Sequence, residues 1–128
     1  MSAARSTATP RQRLGAAGES AALAHLQGAG LILLARNVRC RYGELDLVML
    51  DGATLVFVEV RTRADGARGG ALGSVGSGKR LRLLRAAADY LASHPAHAAR
   101  TCRFDVVGYD GHAPGTPCQW VRAAFEAG

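Results

Sequence analysis

The sequence predicts an α/β domain built on a mixed central sheet flanked by helices, and three observations carry that expectation. Segments of helical and strand-like periodicity follow one another as helix, three strands, helix and strand. The pair Asp51-Gly52 separates two of the strand-like runs by a hairpin signal, so part of the sheet should be antiparallel. The chain has 128 residues, 48% of them hydrophobic and 20% charged, which suits one compact core and excludes wholesale disorder. Residues 1–10 read as a flexible leader, and residues 11–128 as a single domain.

The first helix should begin after Pro10, which fits a first helical turn, and stop at the glycines Gly28 and Gly30. Glu19, Leu23 and Leu26 share one face of it, placing a carboxylate at the edge of an apolar stripe. Three strand-like runs follow over residues 31–40, 42–50 and 53–63. Residues 65–78 contain six glycines and little to bury, and are expected to form a mobile loop. A second helix should run from Lys79 to Ser93 with Leu84, Ala88 and Leu91 inward, ended by His94-Pro95. Residues 103–109 read as a strand and 119–125 as a strand or short helix.

Sixteen basic residues against ten acidic ones give a net charge of +6 and a pI near 10.0, which favours a polyanionic partner. Fifteen of the sixteen are Arg, a skew that a GC-rich genome would also produce. Cys40, Cys102 and Cys118 are odd in number and lack a C-x-x-C spacing, so neither a disulfide framework nor a zinc site is expected. A reducing cytoplasm is the expected location. No apolar run approaches the roughly 18 residues of a membrane span.

The chemistry concentrates in the second and third strands. Alternation puts Glu44, Asp46 and Val48 on one face opposite Leu45, Leu47 and Met49, and gathers Phe57, Glu59, Arg61 and Arg63 on one face of the next strand. A tight turn at Asp51-Gly52 would set Asp46 opposite Phe57 and Glu44 opposite Glu59. Three carboxylates would then converge, which is destabilising unless a divalent cation such as Mg²⁺ or Mn²⁺ neutralises them. The competing reading is an ordinary half-solvated hairpin, but Glu59 stands inside a run of Val and Phe that looks buried on both faces, where an unused carboxylate is costly. Two lookalikes carry less. Residues 73–79 satisfy G-x-x-x-x-G-K, but Arg80 stands where a P-loop needs Ser or Thr. His94 and His97 flank a helix-breaking proline, and Trp120 and Phe125 read as core.

Taken together, Gly15-x-x-Gly18-Glu19, Arg36-Asn37, Gly43-Glu44-Leu45-Asp46, Phe57-Val58-Glu59-Val60-Arg61-Thr62-Arg63, Lys79 and Arg103-Phe104-Asp105-Val106-Val107 resemble the YraN-type bacterial proteins. These are predicted endonucleases, similar to archaeal Holliday junction resolvases of the PD-(D/E)-x-K superfamily, and the resemblance spans roughly residues 11 to 126. It implies a restriction-endonuclease-like fold and divalent-metal-dependent hydrolysis of DNA phosphodiesters, with branched or junction DNA as substrate. It makes Asp46 the motif aspartate, Glu59 the second acidic residue and Glu19 the helix carboxylate, all three as ligands of Mg²⁺ or Mn²⁺. Arg61 occupies the usual lysine position; it can orient a phosphate but stays protonated and cannot accept a proton. Arg36, Arg63 and Lys79 are expected to face the DNA backbone. The alternative is a nucleic-acid-binding protein with a degenerate site, and a third reading is an interaction protein whose carboxylates serve structure alone. A resolvase-like cut of two strands would call for a symmetric homodimer.

Overall fold

The computed structural model describes residues 10–63, 75–111 and 115–126, without the side chains of 10–14 and Arg63. Helix α1 (Pro10–Gly28) is followed by strands β1 (Ile32–Cys40), β2 (Gly43–Asp51) and β3 (Thr54–Arg63). Helix α2 (Ser77–Ser93), a short 3₁₀ turn (Pro95–His97) and strands β4 (Cys102–Asp110) and β5 (Cys118–Phe125) complete the described elements. The five strands form one sheet in the order β1-β2-β3-β4-β5, antiparallel except for the parallel β3–β4 pair. The fold class is the one expected, a restriction-endonuclease-like mixed sheet flanked by helices, and the last segment is a strand.

Each helix covers one face. Ala22 and Leu26 of α1 are buried with Leu47, Met49, Val56 and Val58. Leu83, Ala87 and Tyr90 of α2 are buried with Val48, Phe57 and Phe104. The buried stripe of α2 is therefore not the expected Leu84, Ala88 and Leu91. Rotating the helix by one residue puts Tyr90 edge-on to Phe57, with ring centroids 6.0 Å apart, and leaves Ala88 exposed. The helix also begins two residues earlier than expected, behind a buried Val75. Of the loop expected over 65–78, residues 65–74 lie outside the described residues.

The β2–β3 turn differs by one step from the sequence expectation. Asp51 pairs with Thr54, so the two turn residues are Gly52 and Ala53, with Gly52 at φ 60 in the first central position, where a type II′ turn requires glycine. Val48 thus faces Phe57, and continuing this register sets Asp46 against Glu59, replacing the expected pairs Asp46–Phe57 and Glu44–Glu59. The slip is two residues, so the faces are preserved.

At the other edge, Asp105 of β4 is fully buried yet completely satisfied. It accepts bonds from Arg103 Nε (2.9 Å) and Nη2 (3.0 Å), from Trp120 Nε1 (3.0 Å) and from the Ala123 amide (3.0 Å). Arg103 Nη1 lies 3.0 Å from Asp51 as well. The Ala123 bond coincides with a register shift in the β4–β5 ladder, and Ala123 adopts φ 49 there. Asp105 therefore pins β5 to the sheet through its irregularity.

Candidate active site

The site grows from a parting of the sheet. The β2–β3 ladder runs only from Asp51–Thr54 to Leu47–Val58, whereas β2 stays paired with β1 down to Gly43 and β3 stays paired with β4 up to Arg63. Beyond Leu47 the two central strands therefore form a fork. Asp46 stands in it: its Oδ2 accepts the Val60 amide at 2.8 Å, so a side chain takes over an N–H that the ladder leaves open. The fork also breaks the expected alternation, since Leu45 joins Val48 in the core under α2 while Leu47 and Met49 face α1.

Helix α1 brings Glu19 to this opening. A Cβ on Gly18 would lie 2.9 Å from Thr62 Oγ1, so only glycine lets the helix approach β3 this closely. Carboxylate oxygens of Glu19, Glu44 and Asp46 lie within 4.8 Å of one another. Asn37 joins two of them. With its amide nitrogen turned toward the carboxylates, as their acceptor-only surface demands, it donates to Glu19 Oε1 at 2.7 Å and to Glu44 Oε1 at 3.1 Å. Asn37 holds this position at φ 54, a backbone region in which Asn is one of the few tolerated residues. On the outer side Arg39 Nε reaches Glu44 Oε2 at 3.0 Å, an exposed pair of small energetic weight.

Glu59, on the other limb of the fork, is 4% exposed. Its Oε1 lies 3.4 Å from Lys79 Nζ and 3.6 Å from Arg61 Nη1, while its Oε2 is buried. The ammonium thus comes from the first turn of α2. Of the residues expected to face DNA, Arg36 donates to Ser20 Oγ at 3.3 Å, Lys79 has this place beside Glu59, and Arg63 ends β3 opposite Asp110.

Three of these carboxylates, Glu19, Asp46 and Glu59, hold their protons above the ordinary range. Burial, then the repulsion of Asp46 and Glu44, pushes Glu19 up to about 7. Burial, then the repulsion of Asp46, pushes Glu59 up to about 8. Burial raises Asp46 too, against the opposing Val60 bond. Two or three oxygens from Glu19, Glu44 and Asp46 suit a hard divalent cation, which would displace these protons on binding. Glu59 Oε2 meets no N–H donor among the described residues; the Glu59 carboxyl instead shares a proton with Asp46, a bond that raises Glu59 and lowers Asp46.

Sequence reasoning gathered Glu19, Asp46, Glu59 and Arg61 but left Glu44 out of the ligand set and gave Asn37 no role. Their signal was the shared face of Glu44 and Asp46, and the placement of Asn37 one residue after Arg36 in a strand with no turn chemistry of its own.

The profile of the uncharacterised protein family UPF0102 matches residues 18–109, a span that holds every residue of this site. A UPF0102 protein of Pseudomonas entomophila is 57% identical over 114 residues, covering 88% of this chain and 92% of the relative. One from Xanthomonas campestris pv. campestris is 55% identical over 115 residues (90% and 93%), and one from Alkalilimnicola ehrlichii is 50% identical over 122 residues (95% and 94%). The chain belongs to the UPF0102 family, that of the YraN-type proteins.

Proposed function

We propose that this UPF0102 protein is a divalent-metal-dependent endonuclease that hydrolyses DNA phosphodiesters, with branched or junction DNA as the preferred substrate. The observation that carries the reading is the group of Glu19, Glu44 and Asp46 oxygens within 4.8 Å, set in a fork of the sheet beside the buried Glu59. The buried Asp105 meets four donors, two of them from one guanidinium, whereas the donors around Glu19 and Asp46 leave both with raised proton affinity, a strain that a bound cation would relieve. The expected cofactor is Mg²⁺ or Mn²⁺, held by Glu19, Glu44 and Asp46, with Glu59 close by. When bound it would supply Lewis-acid charge and a more acidic water.

The chain's own residues account for the rest. Asp46 is fixed by the Val60 amide, and Glu19 and Glu44 are tied by Asn37, so the ligands are pre-oriented. Lys79 and Arg61, both on Glu59 Oε1, set two positive charges where a phosphate would gather negative charge. The net charge of +6 favours approach of a polyanion. Two-strand cutting would need two copies of the chain, and we propose a homodimer for that activity alone.

The test is nicking of a branched duplex in Mn²⁺. Wild type should cut, and Asp46→Asn and Glu59→Gln should cut more than about a hundredfold more slowly while retaining DNA affinity. Arg61 in the lysine position favours a second reading, a DNA-binding protein with a degenerate site. Wild type that binds DNA in a salt-dependent way and cuts nothing would establish that second reading.

A further inference from the structure

Beside the carboxylates lies a pocket between the β1–β2 turn and the first turns of α2, lined by Tyr42, Gly43, Glu44, Lys79, Arg82 and Leu83. Glu44 belongs to both, so the pocket adjoins the carboxylate group. Lys79 and Arg82 are three apart on α2 and share a helix face. Lys79 is engaged by Glu59, whereas Arg82 is exposed and has no carboxylate partner among the described residues.

The tyrosine is prepared in a particular way. Arg41 Nη2 donates to Tyr42 Oη at 2.6 Å, and the guanidinium lies 4.8 Å from the ring centroid. The phenol oxygen is therefore already an acceptor, and its own proton is left for a further acceptor. Arg82, Lys79 and Tyr42 give the pocket a guanidinium fork, an ammonium and a phenol, groups that recognise a phosphate, and the one carboxylate in its lining, Glu44, carries Arg39 as its counter-charge.

We propose that this pocket is a phosphate subsite in which Arg82 and the Tyr42 hydroxyl hold the nucleic-acid phosphate next to the one cleaved. The proposal rests on the endonuclease reading for the word cleaved, but the subsite itself is a claim about binding. Its occupant is a phosphate within a polynucleotide strand, since one flank of the pocket is the carboxylate group that would handle the adjoining phosphodiester. Arg82 thus holds the strand by a charge-assisted contact, and Tyr42 orients it by a neutral one.

The experiment measures anisotropy of a fluorescein-labelled 20-mer, single-stranded and duplex, in EDTA at several salt concentrations, for wild type, Arg82→Ala, Arg82→Lys, Tyr42→Phe and the control Arg122→Ala on β5. Arg82→Ala should weaken binding about tenfold and lower the slope of log K against log salt by about 1. Arg82→Lys should recover the slope but only part of the affinity, and Tyr42→Phe should lose a few-fold at unchanged slope. Arg122→Ala should do neither. Affinity and slope unchanged in Arg82→Ala would overturn the subsite, as would competition by a mononucleotide as effective, phosphate for phosphate, as the unlabelled strand. Cleavage in Mn²⁺ is scored separately on the same strands. A lowered slope in Arg82→Ala together with wild type that never cuts supports the phosphate subsite and refutes the nuclease reading. Wild type that cuts while Arg82→Ala binds normally does the reverse.

Discussion

Asp105 and Glu59 are buried carboxylates on neighbouring parallel strands, Asp105 standing beside Val58, the residue before Glu59. Their surroundings differ completely. Asp105 receives four hydrogen bonds, two of them from one guanidinium, whereas Glu59 shares a single oxygen between two cations and its other oxygen meets no N–H donor among the described residues. The comparison teaches that burial of a carboxylate does not by itself mark function. The donors around Asp105 saturate both of its oxygens, whereas Glu59 has its cations on one oxygen only and a second carboxylate, Asp46, beside it.

The sharpest way to break this contrast is to neutralise both regions. Asp105→Ala should destabilise the protein by about 3 kcal/mol, because the Trp120 indole N–H and the Ala123 amide lose their acceptor and Arg103 keeps only Asp51. In the metal-free protein, Asp46→Asn and Glu59→Gln should leave the melting temperature unchanged or raise it, because each removes repulsion that the fold has to overcome. Unfolding of both amide variants would erase the distinction and make the fork carboxylates structural.

Cation binding gives the next effect in size. Mn²⁺ or Ca²⁺ at about a hundred times its dissociation constant should stabilise wild type by about 2.7 kcal/mol, and Asp46→Asn should lose that gain while retaining the fold. Thermal melts with and without metal measure it.

A smaller and more gradual effect is the pH dependence of the metal-free protein. Glu19 and Glu59 have folded-state values of about 7 and about 8, above the ordinary carboxylate value of 4.5. Their protonated forms are favoured in the fold, so their contribution to stability is fully present below about pH 4.5 and is lost as pH rises through 7 and 8. Melting temperature should therefore fall between pH 5 and 9, Glu59→Gln should flatten the fall, and saturating cation should abolish it by binding the ionised forms. A melting temperature that rises over this range would contradict the burial argument.

The smallest effect concerns how α1 is seated. Gly18→Ala gains helix propensity of about 1 kcal/mol but forces Thr62 Oγ1 away from a 2.9 Å approach. The net change should stay within about 1 kcal/mol, and Thr62→Ala should be favourably coupled to it in a double-mutant cycle.

Much of this arrangement was legible in the chain. The periodicities located both helices and the first four strands and left residues 119–125 between strand and short helix, because the sheet buries β3 on two faces and gives each helix one face to cover, whereas β5 is a half-exposed, irregular strand. The grouping of Asp46, Glu59 and Arg61 survived an incorrect turn assignment, since a displacement of two residues along a strand changes partners without changing faces. What stayed hidden depends on departures from regular structure. The fork after Leu47 and Val58 brings Glu44 inward beside Glu19, and periodicity cannot announce where a ladder stops. The centre of the inward face of α2 differs by one residue because Leu83, Leu84, Ala86, Ala87 and Ala88 offer two adjoining apolar stripes; Leu83, Ala86, Ala87 and Tyr90 are buried, and the expected Leu84 and Leu91 pack half-buried at the edge of the same core.

Asn37 joins an uncommon backbone state to a side-chain donor. At φ 54 the backbone is one that Gly, Asn and Asp occupy most easily, although Ala123 at φ 49 shows that the fold holds another residue in it elsewhere. Gly would offer no donor to Glu19 or Glu44, and Asp would add a fifth carboxylate to the group. Of these three, Asn alone supplies both the bend and the donor. Asn37→Gly would therefore keep the strand's bend while removing the donor that ties Glu19 to Glu44, which separates the two duties of this one residue.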